Sequence, residues 1–230
     1  MTLVAIHQPN FFPWLGYFHK IAAADRFVFL DDCLVQKTGS TWTNRVRLLI
    51  AGEPRWVTAP IVRGHGNQLV CDVKFDGQRD WRKKCLASLE IYYRKAPCYK
   101  ETMDFLLPLV ANREPRLADF NVQAVTALAQ WMGIDVRKLV RSSTLKIKSS
   151  GTQRLIGLVR ALNGTAYLCG GGAEGYQEEE MFQDSGLRVE HQCFVHPTYP
   201  QFNTPHFVPG LSVIDGLMNL GPNGIVRLFH

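Results

Sequence analysis

The chain has 230 residues, 46% of them hydrophobic and 20% charged, with a mean hydropathy of −0.08. These values exclude disorder along the whole chain, and no apolar run reaches the ~18 residues that a membrane span needs. The formal charge of +6 is a modest excess, compatible with phosphorylated, anionic ligands and equally with an ordinary solvated surface.

The opening MTLVAIHQPNFFPW has neither a basic n-region nor an A-x-A cleavage site, so the protein is expected to be cytoplasmic. The six cysteines (Cys33, Cys71, Cys85, Cys98, Cys169 and Cys193) form no C-x-x-C pair and fit no zinc spacing. They are expected as buried thiols rather than as a disulfide framework.

Leu3–His7 is a short apolar run of β-formers that Pro9 closes, and it predicts a strand. Pro13 opens a segment to about Ala24 in which Trp14, Leu15, Phe18, Ile21 and Ala22 recur at helical spacing. Arg26–Leu30 then predicts a second buried strand, closed by Asp31-Asp32, giving the βαβ pattern of a parallel sheet. Residues Cys33–Arg63 are mixed and basic, with Trp42 and Trp56 interleaved. Trp56–Val62 predicts an edge strand because of Pro60, residues 64–67 a turn, and Leu69–Phe75 a further strand.

From Asp80 to Arg141 the period becomes helical. Helices are predicted over Trp81–Arg94, Tyr99–Val110, Leu117–Met132 and Val136–Val140, with Gly133 as a stop. Residues 80–141 are therefore expected as a helical insert within one α/β domain spanning residues 1–230. Beyond it come a helix over Thr152–Ala161, a strand over Thr165–Leu168, a glycine turn at 170–172 and a helix over Tyr176–Ser185. A strand over Leu187–Phe194, a Pro-rich loop over His196–Pro209 and a short helix over Ser212–Asn219 complete the chain. The expected fold is α/β with a mostly parallel, Rossmann-like sheet.

Four constellations carry candidate chemistry. The first is His7 with the aromatic loop that follows it. In an open parallel sheet ligands bind beyond the carboxyl ends of the strands. His7 sits at such an end, and the next helix aims its backbone N–H groups at the same space. A neutral imidazole there can act as a general base. The second is Asp31-Asp32 with Gln36, Lys37, Trp42, Asn44 and Arg45. Its acids can orient His7, bind a ribose or hold a cation, and Arg45 can clamp a phosphate.

The third is Cys169-Gly170-Gly171-Gly172 leading to Tyr176, where glycines allow a backbone to approach a ligand. It is neither G-x-G-x-x-G nor a P-loop. The fourth gathers His196, Tyr199, Gln201, His206, Ser212 and Asp215. Ser212 and Asp215 suit helix-capping roles, while a Ser–His–Asp triad can also be composed from Ser212, His7 or His196, and Asp215. No H-E-x-x-H spacing indicates a metal, and the sequence leaves any cofactor unknown.

These motifs together resemble one family. HQPNFFPWLGYFHKI, AAADRFVFLDD, Gln36, Trp42-Thr43-Asn44-Arg45, the YLCGGG turn, HPTYPQ and GLSVIDGLMNLG are similar, nearly end to end, to the WbqC-like protein family. That family is associated with bacterial O-antigen and other polysaccharide gene clusters. The resemblance implies a transferase on nucleotide-linked amino sugars, forming an amide from an acyl or aminoacyl donor. His7 is then the expected base, oriented by Asp32. Gln8, Asn44, Arg45, Gly170, Tyr176, Tyr199 and Gln201 are the expected substrate-binding residues. Arg45 and the first helix would hold phosphate, and Tyr199 and Gln201 the sugar.

A second resemblance concerns the opening βαβ unit, which is similar to that of HIGH-type nucleotidyltransferases. Gly16-Tyr17 stands where those enzymes carry Gly-His. No K-M-S-K-S-like signature is evident, although Lys146-Ile147-Lys148-Ser149-Ser150 is basic. The alternatives to amide formation are therefore ATP- or CTP-dependent adenylate formation or nucleotidyl transfer, and a non-catalytic sugar-nucleotide-binding partner. Nucleic acid is not expected as a ligand, since no nucleic-acid module is present.

Overall fold

The structure, a computed structural model, describes residues 1–35, 42–62, 64, 67–170 and 176–229, with the side chains of residues 176–178 excluded. In chain order the main elements are β1 (Leu3–His7), α1 (Leu15–Ala23), β2 (Arg26–Phe29), β3 (Arg45–Ile50), β4 (Glu53–Thr58), β5 (Ile61–Val62) and β6 (Lys74–Phe75). The helices α2 (Trp81–Tyr93), α3 (Tyr99–Ala111) and α4 (Leu117–Trp131) follow, then β7 (Leu139–Arg141), α5 (Ser142–Leu145) and α6 (Gly151–Ala161). β8 (Ala166–Cys169), α7 (Tyr176–Asp184), β9 (Arg188–His191) and α8 (Val213–Arg227) complete the order.

The central sheet has five strands, all parallel, in the order β7-β2-β1-β8-β9. Side chains alternate across it. Ala5, Phe27, Phe29 and Leu168 point to one face, into a core shared with Leu15, Phe18 and Ile21 of α1, Phe120 of α4 and Leu217 of α8. Val4, Ile6, Val28, Tyr167 and Cys169 point to the other, against Ile156 and Val159 of α6 and Phe182 of α7. Both faces are covered, which is why the inner strands β1, β2 and β8 read as nearly continuous apolar runs, whereas the edge strands β7 and β9 carry exposed or half-buried polar residues.

Several expectations are corrected. Val136–Val140 is not a helix. A 3-10 turn, Val136–Lys138, leads into β7, which pairs with β2 at the sheet edge. A run this short carries no usable period, and pairing with β2 decides its conformation. The 80–141 segment therefore ends inside the main sheet rather than as helix, and the β2-to-β7 connection also contains the strands before α2.

Within that connection β3 and β4 form an antiparallel hairpin closed by Ala51 and Gly52, with φ of 53° and 79°. Paired positive φ values suit a two-residue hairpin turn, but Ala-Gly is a weaker signal than Asn-Gly, and β3 was not expected. Trp56–Val62 divides between β4 and β5, while Leu69–Phe75 contains a 3-10 turn (Val70–Asp72) and only the two-residue β6. α8 runs past Asn219 to Arg227 through a kink at Gly221, whose φ of 67° admits the following Pro222.

Candidate functional site

The crossover from β1 carries α1 over one face, and the connection from β8 carries α7 over the other. The two loops part, so a crevice opens at the carboxyl ends of β1 and β8. In open α/β sheets this reversal of strand order is where ligands bind. A pocket of about 340 Å³ lies there. His7, Trp14, Gly16, Tyr17 and Lys20 line it from the β1–α1 side, Gly170 from the end of β8, and Gln192, Phe194 and His196 from the segment after β9.

The loop after β1 is fixed rather than loose. The Asn121 amide, fully buried on α4, donates to the carbonyls of Pro9 (2.8 Å) and Thr43 (2.7 Å), and the Phe11 N–H donates to the Trp42 carbonyl at 2.9 Å. A prolyl-rich loop has few N–H groups of its own, so its carbonyls take donors from elsewhere.

His7 Nδ1 lies 3.1 Å from the Gln8 carbonyl. A carbonyl only accepts, so Nδ1 carries the proton and Nε2 is the lone-pair nitrogen. The ring packs edge-on against Tyr17 (4.8 Å between centroids) and Trp14 (5.8 Å). Burial, then the positive charge of Lys20, push its pKa down to about 4, against the opposing pull of the Gln8 carbonyl. His7 is therefore neutral at physiological pH.

Lys20, which the sequence reading did not single out, is 3% exposed. Its ammonium donates to the Ile6 carbonyl at 3.2 Å and stands 6.0 Å from the Tyr167 ring centroid. It makes no ion pair with a carboxylate among the described residues. Burial lowers its pKa to about 8, with Cys169 pulling weakly the other way. The available signal was a charged residue on the buried stripe of the first helix, flanked by Phe18 and Ile21.

The Asp31–Asp32 acids do other work than expected. The partner that fixes the His7 ring is the Gln8 carbonyl, not Asp32. Asp32 accepts from Ser142 Oγ and pairs with Arg154 Nη2 at 2.5 Å. Asp31, wholly buried, pairs with Arg141 Nε at 2.6 Å and accepts from the Ser143 N–H (3.0 Å) and hydroxyl (2.8 Å). Its burial would raise the carboxyl pKa, but those contacts outweigh it and hold the pKa below its ordinary value. The cluster ties the end of β2 to β7, α5 and α6.

Other expected binding residues are also spent internally. The Gln8 amide donates to Cys33 Sγ at 3.1 Å, and the Asn44 amide donates to the Ala59 carbonyl at 3.0 Å. Arg45 stacks on Trp56 at 4.3 Å, at the end of an aromatic chain of Trp14, Trp42 and Trp56, and it does not line the pocket. Tyr199 (2.8 Å), Tyr93 (2.9 Å) and Gln201 (3.0 Å) all donate to the buried Asp215 carboxylate. Burial raises the Asp215 pKa, although the three donors oppose the rise.

Ser212 caps α8, accepting from the Ile214 N–H at 3.2 Å and donating to the Phe12 carbonyl at 2.7 Å. No Ser212–His–Asp215 triad is assembled among the described residues. Of the fourth constellation only His196 reaches the pocket. Gly170 reaches it from the third, whereas Gly171, Gly172, Gln36, Lys37 and the Tyr176 side chain lie outside what is described.

A second unforeseen cluster sits beside the crevice. Cys169 Sγ is 3.1 Å from His191 Nδ1, and His191 Nε2 is 2.8 Å from a Glu179 carboxylate oxygen. Cys169 is 1% exposed, and burial raises its pKa despite Lys20, so the thiol is protonated and shielded. Among the described residues no group of His, Cys, Asp and Glu is arranged to hold a metal, and no helix is long and apolar enough to cross a membrane.

No solved structure matches the chain. The uncharacterized protein Rv1507c of Mycobacterium tuberculosis is 32% identical over 225 residues, which cover 96% of this chain and 95% of that protein. The model of the WbqC-like protein family matches residues 8–227, a span that takes in the β1–α1 loop, Lys20, the end of β8 and the α8 cap. A sequence that matches the family from Gln8 to Arg227 places this chain in the WbqC-like protein family.

Proposed function

We propose that the protein is a transferase that forms an amide on the amine of a nucleotide-linked amino sugar, using an activated acyl or aminoacyl donor in bacterial polysaccharide biosynthesis. The observation that carries this reading is His7. It is a neutral imidazole on the wall of the switch-point pocket, with Nδ1 held by the Gln8 carbonyl and Nε2 left as the proton acceptor.

In the reaction the sugar nitrogen bonds to the acyl carbon. The bond from that carbon to its leaving oxygen or sulfur breaks. The proton shed by nitrogen passes to His7 Nε2 and from there to the leaving group. A weakly basic ring suffices, because the protonated nitrogen of the tetrahedral adduct is a far stronger acid than the free ammonium. The pocket volume of about 340 Å³ falls within the ~300–1,000 Å³ usual for small-molecule sites.

Tyr17, standing where HIGH-type enzymes carry histidine, spends its hydroxyl on the Gln8 carbonyl at 2.9 Å. That contact engages the hydroxyl within the loop, which argues against nucleotidyl transfer of the HIGH type.

The test is a mass-spectrometric product assay with UDP-, dTDP- and GDP-linked sugars, with and without an amine, against acyl and aminoacyl donors. Amide is expected only from amine-bearing sugars. His7→Asn should lower the rate by roughly 10²-fold or more while the protein stays folded. Sugar nucleotide bound by the wild type without product would favour a non-catalytic partner. An unchanged rate in His7→Asn would remove this residue from the reaction.

A further inference from the structure

We propose that Lys20, with the N-terminal end of α1 and the Gly170 backbone, forms a phosphate subsite that takes the diphosphate bridge of a nucleotide ligand. This deepens the reading above, since it names what holds the nucleotide while His7 faces the amine. The first observation is a buried cation with no carboxylate partner among the described residues. Lys20 is buried, at 3% exposure, yet it lies on the pocket wall, where its ammonium makes one hydrogen bond, to a backbone carbonyl.

A buried cation normally has a counter-ion, because desolvating it unpaired is expensive. Here the described residues supply none, and the neighbouring imidazole is neutral. An anion entering the pocket supplies the missing partner and leaves two ammonium N–H groups to hold it.

The second observation is the space beside the ammonium. A Cβ added at Gly170 would stand 3.9 Å from Lys20 Nζ, so the flank that a phosphate oxygen would occupy is bare backbone. The third is α1 itself. Its N-cap, Trp14, makes no side-chain cap, and its first turn holds no acid. Trp14 and Gly16 both line the same pocket, so the positive end of the helix and Lys20 act on one volume.

Lys20 thereby does what a glycine-rich phosphate loop does in dinucleotide-binding sheets, and what the sequence reading assigned to Arg45. A competing role for Lys20 is to pin the end of β1 through the Ile6 carbonyl. The two roles differ in what a neutral side chain of the same length does.

Isothermal titration calorimetry with inorganic pyrophosphate, UDP and uridine tests the proposal on wild type, Lys20→Met and Gly170→Val. Wild type should bind pyrophosphate and UDP, and uridine at least tenfold more weakly than UDP. Lys20→Met should lose tenfold or more of the pyrophosphate affinity with no loss of urea midpoint. Gly170→Val keeps the charge, fills the space and should lose a similar factor. Equal affinity in wild type and Lys20→Met overturns the proposal, as does wild type binding neither anion.

The probes carry no amine, so failure of amide chemistry leaves this result intact. Conversely, a Lys20→Met variant that makes amide at unchanged KM would sink the subsite and spare the reaction.

Discussion

Replacing Lys20 by Met should make the ligand-free protein more stable, and the size of the gain should depend on pH. Burial pushes the Lys20 pKa from 10.5 down to about 8. The unfolded chain therefore binds this proton more tightly than the folded one. At ~1.4 kcal/mol per pH unit, keeping Lys20 charged in the fold costs about 3 kcal/mol at pH 7. The cost is full below pH 8 and fades as pH rises toward 10.5, because the unfolded lysine then loses its proton as well. By pH 9.5 roughly 1.4 kcal/mol remains on the same relation.

Methionine fills much of the same stem volume, so the loss is the hydrogen bond to the Ile6 carbonyl, worth ~1 kcal/mol. The net gain is about 2 kcal/mol at pH 7 and near zero at pH 9.5. For a chain of this size 2 kcal/mol corresponds to roughly 4–8 °C in Tm. Urea unfolding of both proteins at the two pH values reads the difference directly. A Lys20→Met variant destabilised equally at pH 7 and pH 9.5 would refute the reasoning and make Lys20 a structural pin.

Other consequences are as direct. The His7 pKa lies at about 4 in the fold against an ordinary 6.5, so the unfolded state takes up a proton first as pH falls. Stability should drop by up to about 3 kcal/mol between pH 6.5 and pH 4, and His7→Gln should remove that part of the acid sensitivity in urea titrations. Arg141→Met strands the buried Asp31 carboxylate, leaving it only its serine contacts; a loss of ~3 kcal/mol is expected in the same assay, and a loss under 1 kcal/mol would show the ion pair to be dispensable. In peptide-mapped alkylation the exposed Cys193 should react first and the buried Cys85 and Cys169 last. A fast Cys169 would instead make the Cys169–His191–Glu179 chain a candidate covalent acyl carrier.

The sequence carried the parallel sheet well where strands are buried on both faces. Leu3–His7 coincides with β1, and the predicted α1, α2, α3, α4 and α6 agree with the observed helices to within two residues at each end. Elements defined by pairing rather than by local pattern were less legible. β7 is three residues long and exists because β2 lies beside it, and β3 is closed by a turn that an Ala-Gly pair signals weakly.

The site divides in the same way. His7 could be placed at a strand end from Pro9 and the apolar run before it, and Gly170 from the strand it follows. Asp32, Tyr199 and Gln201 could not be assigned, because a polar residue in a loop reads alike whether it faces a ligand or a buried partner. Here Arg154, Ser142 and Asp215 take them. Lys20 was hidden for the opposite reason: in one dimension it is an ordinary lysine near a helix end. Only the fold puts its ammonium against Ile6 and Gly170.

The central claim is that one pocket between β1 and β8 places an amine before His7 and a diphosphate before Lys20. A crystal structure with a UDP-linked amino sugar tests it most directly. The account predicts the amine nitrogen ~3 Å from His7 Nε2 and a diphosphate oxygen at hydrogen-bond distance from Lys20 Nζ. Ligand seated elsewhere, for example in the groove between Ala22–Ala23 and Ile134–Lys138, would contradict it.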